Sequence, residues 1–112
     1  MPPATISNPA ATPGITRDTS GERAPLYNVV LLNDDDHTAE YVIEMLEKLF
    51  AIGEAQAWKH VIEVDSTGRT IVVTCDLPVA EFGRDQIHAF GADWRIPRCK
   101  GSMSATVEPC AE

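Results

Sequence analysis

Cysteine is scarce in this chain, positive charge is scarcer than negative, and no long apolar run occurs. Each shortage closes a class of function. The three cysteines, Cys75, Cys99 and Cys110, include no CxxC pair, so neither a disulfide framework nor a zinc site is indicated, and a reducing, cytoplasmic setting is expected. Lys and Arg number 9 against 17 Asp and Glu, a net charge of −8. A phosphate-binding face wants clustered Lys and Arg, so nucleic acid is not the expected partner. Nowhere do the ~20 apolar residues of a membrane span run together, so no membrane partner is expected. Arg95, Arg98 and Lys100 form a basic cluster in an expected loop and read as solvated.

Residues 1–24 are rich in Pro, Ser, Thr, Ala and Gly and show no hydrophobic period. They lack a basic start and an apolar core, which argues against a signal peptide, and they read as a disordered N-terminal arm. Residues 25–112 are then one domain, long enough for a single small core. Tyr27–Leu32 is apolar and β-branched enough for a central strand. A helix follows from Thr38 to Phe50, with Val42, Ile43, Leu46, Leu49 and Phe50 on one stripe and Gly53 as its stop. Glu54 to about Glu63 reads as a second helix with Ala57, Trp58, Val61, Ile62 and Val64 as apolar positions. Asp65–Gly68 reads as a turn and Thr70–Thr74 as a strand. A third helix opens at Asp76-Leu77-Pro78, ends at Gly91 and shows Val79, Phe82, Ile87 and Phe90 as its apolar face. Gly83 inside it should cost about 1 kcal/mol against Ala. A loop, 92–101, leads to a last strand, Met103–Val107. The order predicts an α+β fold: a small, three-stranded, mostly antiparallel sheet with three helices packed on it.

Chemistry concentrates at Asn33-Asp34-Asp35-Asp36-His37, between the first strand and the first helix. Adjacent carboxylates repel unless a cation or several donors meet them. Asp35 and Asp36 suit a helix start, through capping and the macrodipole. Asn33 and Asp34 lie too far upstream to cap. An amide oxygen and a carboxylate together make a receptor for an ammonium group, each charge-assisted bond contributing about 1.5–3 kcal/mol. A divalent metal is the alternative cation, but consecutive residues of an extended segment point in opposite directions, so three successive Asp do not face one ion. His37, His60 and His88 are scattered, two of them expected on exposed helix surfaces, and no Ser or Cys stands in a recognisable nucleophile setting. No enzyme and no cofactor is therefore expected.

The strand, the Asn33-Asp34-Asp35 run and Glu40-Tyr41-Val42-Ile43-Glu44-Met45-Leu46 together resemble the signature of the ClpS adaptor family, roughly V-N-D-D-x-T-x-x-x-x-V-x-x-[VL]-L. The resemblance covers Leu26 to about Glu108, with Gly68 and Thr106-Val107 as further landmarks. It implies the small α+β fold shared with ribosomal stalk domains, and a monomeric adaptor rather than an enzyme. The implied partners are N-degron proteins or peptides beginning with Leu, Phe, Tyr or Trp, and a ClpA- or ClpC-type unfoldase with its ClpP peptidase. A divalent-metal site and a general protein-interaction module remain as alternatives on the same fold.

Carried over by position, the resemblance gives Asn33 and Asp34 the free α-amino group, with Asp35 and His37 in the same turn. Val42 and Val64 match wall residues. Ala39 and Val61 fall where the family often has Met, and Met103 replaces a frequent Leu. Asp65 stands where the family has a His that touches the amino group, and His37 where it has a capping Thr, which weakens the capping box ahead of Glu40. The smaller Ala39 and Val61 imply a wider pocket that also admits Ile and Val. Family members dock on the unfoldase partly through a Glu and a Lys of the third helix, positions held here by Pro78 and Gly83.

Overall fold

The computed structural model describes residues 25–110; the expected arm, 1–24, lies outside the described residues. Six elements follow in the order β1 (Leu26–Leu32), α1 (Ala39–Phe50), α2 (Glu54–Thr67), β2 (Arg69–Asp76), α3 (Leu77–His88) and β3 (Ala105–Pro109). The sheet has the order β2-β1-β3, and β1 is antiparallel to both neighbours. The fold is α+β, as expected. A central strand needs apolar residues towards both faces, and Val29, Val30 and Leu31 are fully buried. A register shift between Val29 and Val30 on the β2 side re-aims the strand's second half, the half that leads into the acidic turn. α3 lies against all three strands, α1 packs on α2 and α3, and α2 meets β2.

Several local expectations are corrected. Thr38 is not the first helical residue but the N-cap, its hydroxyl accepting from Tyr41 N–H at 3.1 Å. The cap therefore sits one residue beyond His37, and Glu40 falls one position short of closing a capping box. Gly53 does not stop α1: the chain turns at Ala51, in the left-handed region at φ 54°, and Gly53 caps α2 instead. α2 runs four residues past Glu63, through Asp65, because Val64 is buried beneath it and the Ser66 and Thr67 hydroxyls donate to carbonyls one turn back. Gly68, at φ 92°, ends it. β3 begins at Ala105, leaving Met103 buried just ahead of it.

The helix faces also differ. On α1, Tyr41 and Met45 join Val42 and Leu46 in the core, while Ile43, Leu49 and Phe50 are half-buried. On α2, Trp58 and Ile62 are exposed and the buried residues are Ala57, His60 and Val64. On α3, Val79 and Phe82 are exposed, and Ala80, Gly83 and Ile87 are buried. A small sheet brings α3 in close, and the stripe that can approach it is made of small residues. A Cβ on Gly83 would lie 3.1 Å from the Phe50 ring and 3.6 Å from Val29. That contact explains a glycine that helix propensity disfavours. His60 is buried rather than exposed: its Nδ1 is 2.8 Å from the Thr70 hydroxyl, which in turn donates to Glu63. Burial pushes the His60 pKa down, against the opposing charge of Glu63.

Candidate functional site

Where β1 ends, its last polar groups are pinned on both sides. Leu32 N–H donates to Ser104 O and Asn33 N–H to Gly68 O, each at 3.0 Å. Asn33 is thereby held between the end of α2 and the approach to β3. A cleft of about 240 Å³ opens here, lined by Asn33, His37, Thr38, Ala39, Val42, Val61, Val64, Asp65 and Met103. Drug-sized ligands occupy roughly 300–1,000 Å³, so this space suits one side chain and its polar end rather than a cofactor. Apolar Val42, Val61, Val64 and Met103 share it with the amide of Asn33 and the carboxylate of Asp65. Extension of α2 beyond Glu63 is what carries Val64 and Asp65 to this wall.

Asp34 faces away from that cleft, into an adjoining one of about 360 Å³ lined with Asp36, His37, Arg98, Cys99, Lys100, Gly101 and Ser102. His37 borders both. The Asp34 carboxylate accepts Asp36 N–H at 2.9 Å and meets His37 Nδ1 at 2.7 Å and 2.9 Å. His37 in turn rests its ring on Tyr41, centroids 4.6 Å apart, and its Nε2 lies 2.7 Å from Gly101 O. Asp36 is met by Arg98 Nε at 2.7 Å, and the Asp35 carbonyl by the same guanidinium. The Arg98 guanidinium and the His37 imidazole thus answer the repulsion within the acidic run. Asp35 and Asp36 do not cap the helix, contrary to expectation, since Thr38 does. Asp35 is exposed and lines neither cleft.

The loop carrying Arg95, Arg98 and Lys100 is not merely solvated. Asp93, 1% exposed, anchors it to α1. Its Oδ2 accepts from the Thr38 N–H and hydroxyl, and its Oδ1 from the Arg95 N–H and guanidinium. Burial opposes its charge, but these four donors outweigh burial and hold the carboxyl at about 2. Arg95 also reaches Glu44. Tyr41, pushed up to about 12 chiefly by burial, donates its hydroxyl to Gly91 O and so fixes the loop's start. Thr38 and Asp93 were not anticipated as site residues. Their sequence separation of 55 leaves no local signal.

The structure therefore brings together Asn33, His37, Ala39, Val42, Val61, Val64, Asp65 and Met103 at one cleft, with Asp34 behind His37 and Asp35 outside. Among the described residues no group of three or more His, Cys, Asp or Glu converges to hold a metal ion. No helix among them is long and apolar enough to cross a membrane.

Comparison with known proteins adds the following. The family described as "ATP-dependent Clp protease adaptor protein ClpS" matches residues 22–95. The ATP-dependent Clp protease adapter protein ClpS of Synechococcus elongatus is 31% identical over 106 residues, 94% of each chain. Its namesake in Roseobacter denitrificans is 36% identical over 76 residues, 68% of this chain and 67% of that one. Among solved structures, Agrobacterium tumefaciens ClpS2 bound to L-phenylalaninamide is similar, with a TM-score of 0.68 and 27% identity, over 79% of this chain and all of that one.

Proposed function

The chain belongs to the ClpS family of ATP-dependent Clp protease adaptors, and from that premise we propose that its cleft receives the first residue of an N-degron. The carrying observation is the cleft's mixed wall: Asn33 and Asp65 stand in one cavity with Val42, Val61, Val64 and Met103. A free α-amino group has a pKa of about 7.7–8.0 and is largely cationic at neutral pH. Its hydrogens go to the Asn33 amide oxygen and the Asp65 carboxylate, while a hydrophobic side chain fills the apolar part. L-phenylalaninamide, the ligand of the ClpS2 relative, joins the same two features in one molecule.

Asp34 acts through His37: from the adjoining cleft its carboxylate accepts Asp36 N–H and meets His37 Nδ1, which sets the position of the imidazole at the receptor's edge. His37, shared by both clefts, is oriented by Asp34 and forms the edge of the receptor. The preferred first residues are Leu, Phe, Tyr and Trp, extended to Ile and Val by the small Ala39 and Val61. No step of bond making is assigned to the cleft: the chain binds in the cytoplasm and presents its cargo to a ClpA- or ClpC-type unfoldase. Gly83, buried against Phe50, and Pro78 carry no charge for docking, so that contact falls to other surfaces.

A titration followed by fluorescence anisotropy tests this reading. A short peptide beginning with Phe binds, whereas its N-acetylated twin and a Gly-initiated peptide do not. Asn33→Ala and Asp65→Asn each weaken binding about tenfold, the loss of one charge-assisted bond. Equal binding of the acetylated peptide overturns the proposal.

A further inference from the structure

Cys99 lies outside the peptide cleft, yet its thiol completes a relay through His37, which borders that cleft. Sγ lies 3.3 Å from His37 Nε2, and His37 Nδ1 lies 2.7 Å from Asp34 Oδ1. The imidazole is 4% exposed and packs against the tilted Tyr41 ring, centroids 4.6 Å apart. Nε2 is also 2.7 Å from Gly101 O. Gly101 O and the Asp34 carboxylate both accept, so a hydrogen on Nε2 and one on Nδ1 each have a partner there. Sγ meanwhile accepts Asp93 N–H at 3.2 Å, and the thiol donates to Gly101 O at 3.2 Å. Thiol, base and orienting carboxylate stand in the order that activates a nucleophile.

The sulfur end of this relay, half-buried Cys99, is the part that reaches solvent. The cleft of about 360 Å³ has Cys99 and His37 in its wall and the exposed Arg98 and Lys100 at its rim. Cys75 offers the contrast within the same chain: burial, then the charge of Asp76, push its thiol pKa up. We propose that Cys99 is a peroxide-responsive modification site whose oxidation loosens the adjoining peptide cleft. The thiol proton passes to His37 Nε2, and sulfur attacks one oxygen of hydrogen peroxide. An S–O bond forms as the O–O bond breaks; sulfur is oxidised by two electrons and the peroxide reduced. The leaving hydroxide takes the proton from Nε2 and departs as water, and Cys99 remains as a sulfenic acid. The added oxygen has to fit where Gly101 O already stands 3.2 Å from Sγ and His37 Nε2 3.3 Å. His37 shifts, and with it the wall common to both clefts. Only this last consequence rests on the peptide-binding reading.

The test exposes the full chain to hydrogen peroxide and traps sulfenic acid with dimedone, locating adducts by mass spectrometry. Cys99 is expected to label roughly tenfold faster than Cys75, and His37→Gln to slow Cys99 while leaving Cys75 unchanged. In parallel, peroxide weakens binding of the Phe-initiated peptide about fivefold, dithiothreitol restores it, and Cys99→Ser protein does not respond. Labelling of Cys99 no faster than Cys75, or oxidation at Cys99 with unaltered peptide affinity, overturns the proposal. If the untreated protein binds no peptide, the recognition reading has failed, and the labelling rates still decide whether Cys99 is the responsive site.

Discussion

Asp93 and Thr38, 55 residues apart, share a single carboxylate oxygen: Oδ2 accepts from the Thr38 N–H at 2.7 Å and from its hydroxyl at 2.8 Å. The same hydroxyl accepts from Tyr41 N–H, so the residue that caps α1 is itself fixed by a buried charge from the distant loop. Asp93→Ala leaves the donors of Thr38 and Arg95 without their acceptor. Hydrogen bonds to a charged group are worth about 1.5–3 kcal/mol, so a loss of about 3 kcal/mol in urea unfolding is expected. The acid limb shows the same group. Its folded pKa, about 2, is depressed from an unfolded value of about 3.9. The stabilisation is therefore fully present above about pH 4 and lost as pH falls through about 2. Asp93→Ala flattens that part of the stability–pH curve; an unchanged acid limb would count against the assignment.

Gly83 stands where helix propensity and packing disagree. Alanine in a helix interior gains about 1 kcal/mol over glycine, but the new methyl carbon would meet Phe50 Cε1 at 3.1 Å and Cζ at 3.4 Å. Overpacking costs typically about 1–3 kcal/mol, and α3 lies too close to the sheet to retreat freely. Gly83→Ala is expected to leave stability unchanged or to lower it by up to about 2 kcal/mol. Pairing it with Phe50→Leu should recover part of the helical gain. A single variant stabilised by the full propensity difference would show that Phe50 yields at no expense.

His60 predicts a second, milder acid sensitivity. Its folded pKa is lowered, chiefly by burial. For a depressed group the stabilisation is present above the unfolded value of about 6.5 and lost as pH falls below it. The buried ring donates from Nδ1 to Thr70, whose hydroxyl is committed to Glu63. Urea midpoints should therefore decline between neutral pH and about pH 5. His60→Gln, which keeps a donor but does not titrate there, should remove the decline.

What was legible in the sequence was whatever is local. The apolar run of β1, the start of α1 after the acidic turn and the strand that follows Gly68 each depend on a few neighbouring residues. The cleft's wall was legible only by resemblance, since Val42, Val64 and Met103 look like ordinary core positions. Counting apolar residues misjudged α2 and α3. It sends Trp58, Ile62, Val79 and Phe82 inward, whereas the helices approach the sheet through Ala57, Ala80 and Gly83. Small residues carry little weight in a hydrophobic pattern and most of the weight in close packing. The contacts of Arg98 with Asp36 and of Cys99 with His37, each spanning 62 residues, left no periodic trace. They form only once the 92–101 loop is folded back by Asp93.

Ala39 offers the sharpest test of selectivity. It sits at the first turn of α1, in the cleft wall beside Val42 and opposite the α2 residues Val61 and Val64. A longer side chain here reaches into the space that a branched Cβ of an incoming residue needs. Unbranched Cβ residues such as Phe and Leu keep their volume further down and are less affected. A missing or added methylene in a hydrophobic pocket is worth about 1–3 kcal/mol. Ala39→Met is accordingly expected to weaken binding of an Ile-initiated peptide about tenfold or more, while a Phe-initiated peptide changes less than about threefold. The helix itself loses little, since Met is a good helix former and Thr38 keeps the cap. Val61→Met should act in the same direction from the opposite wall. If both variants leave the Ile-to-Phe affinity ratio where it was, the small side chains do not set the breadth of the cleft.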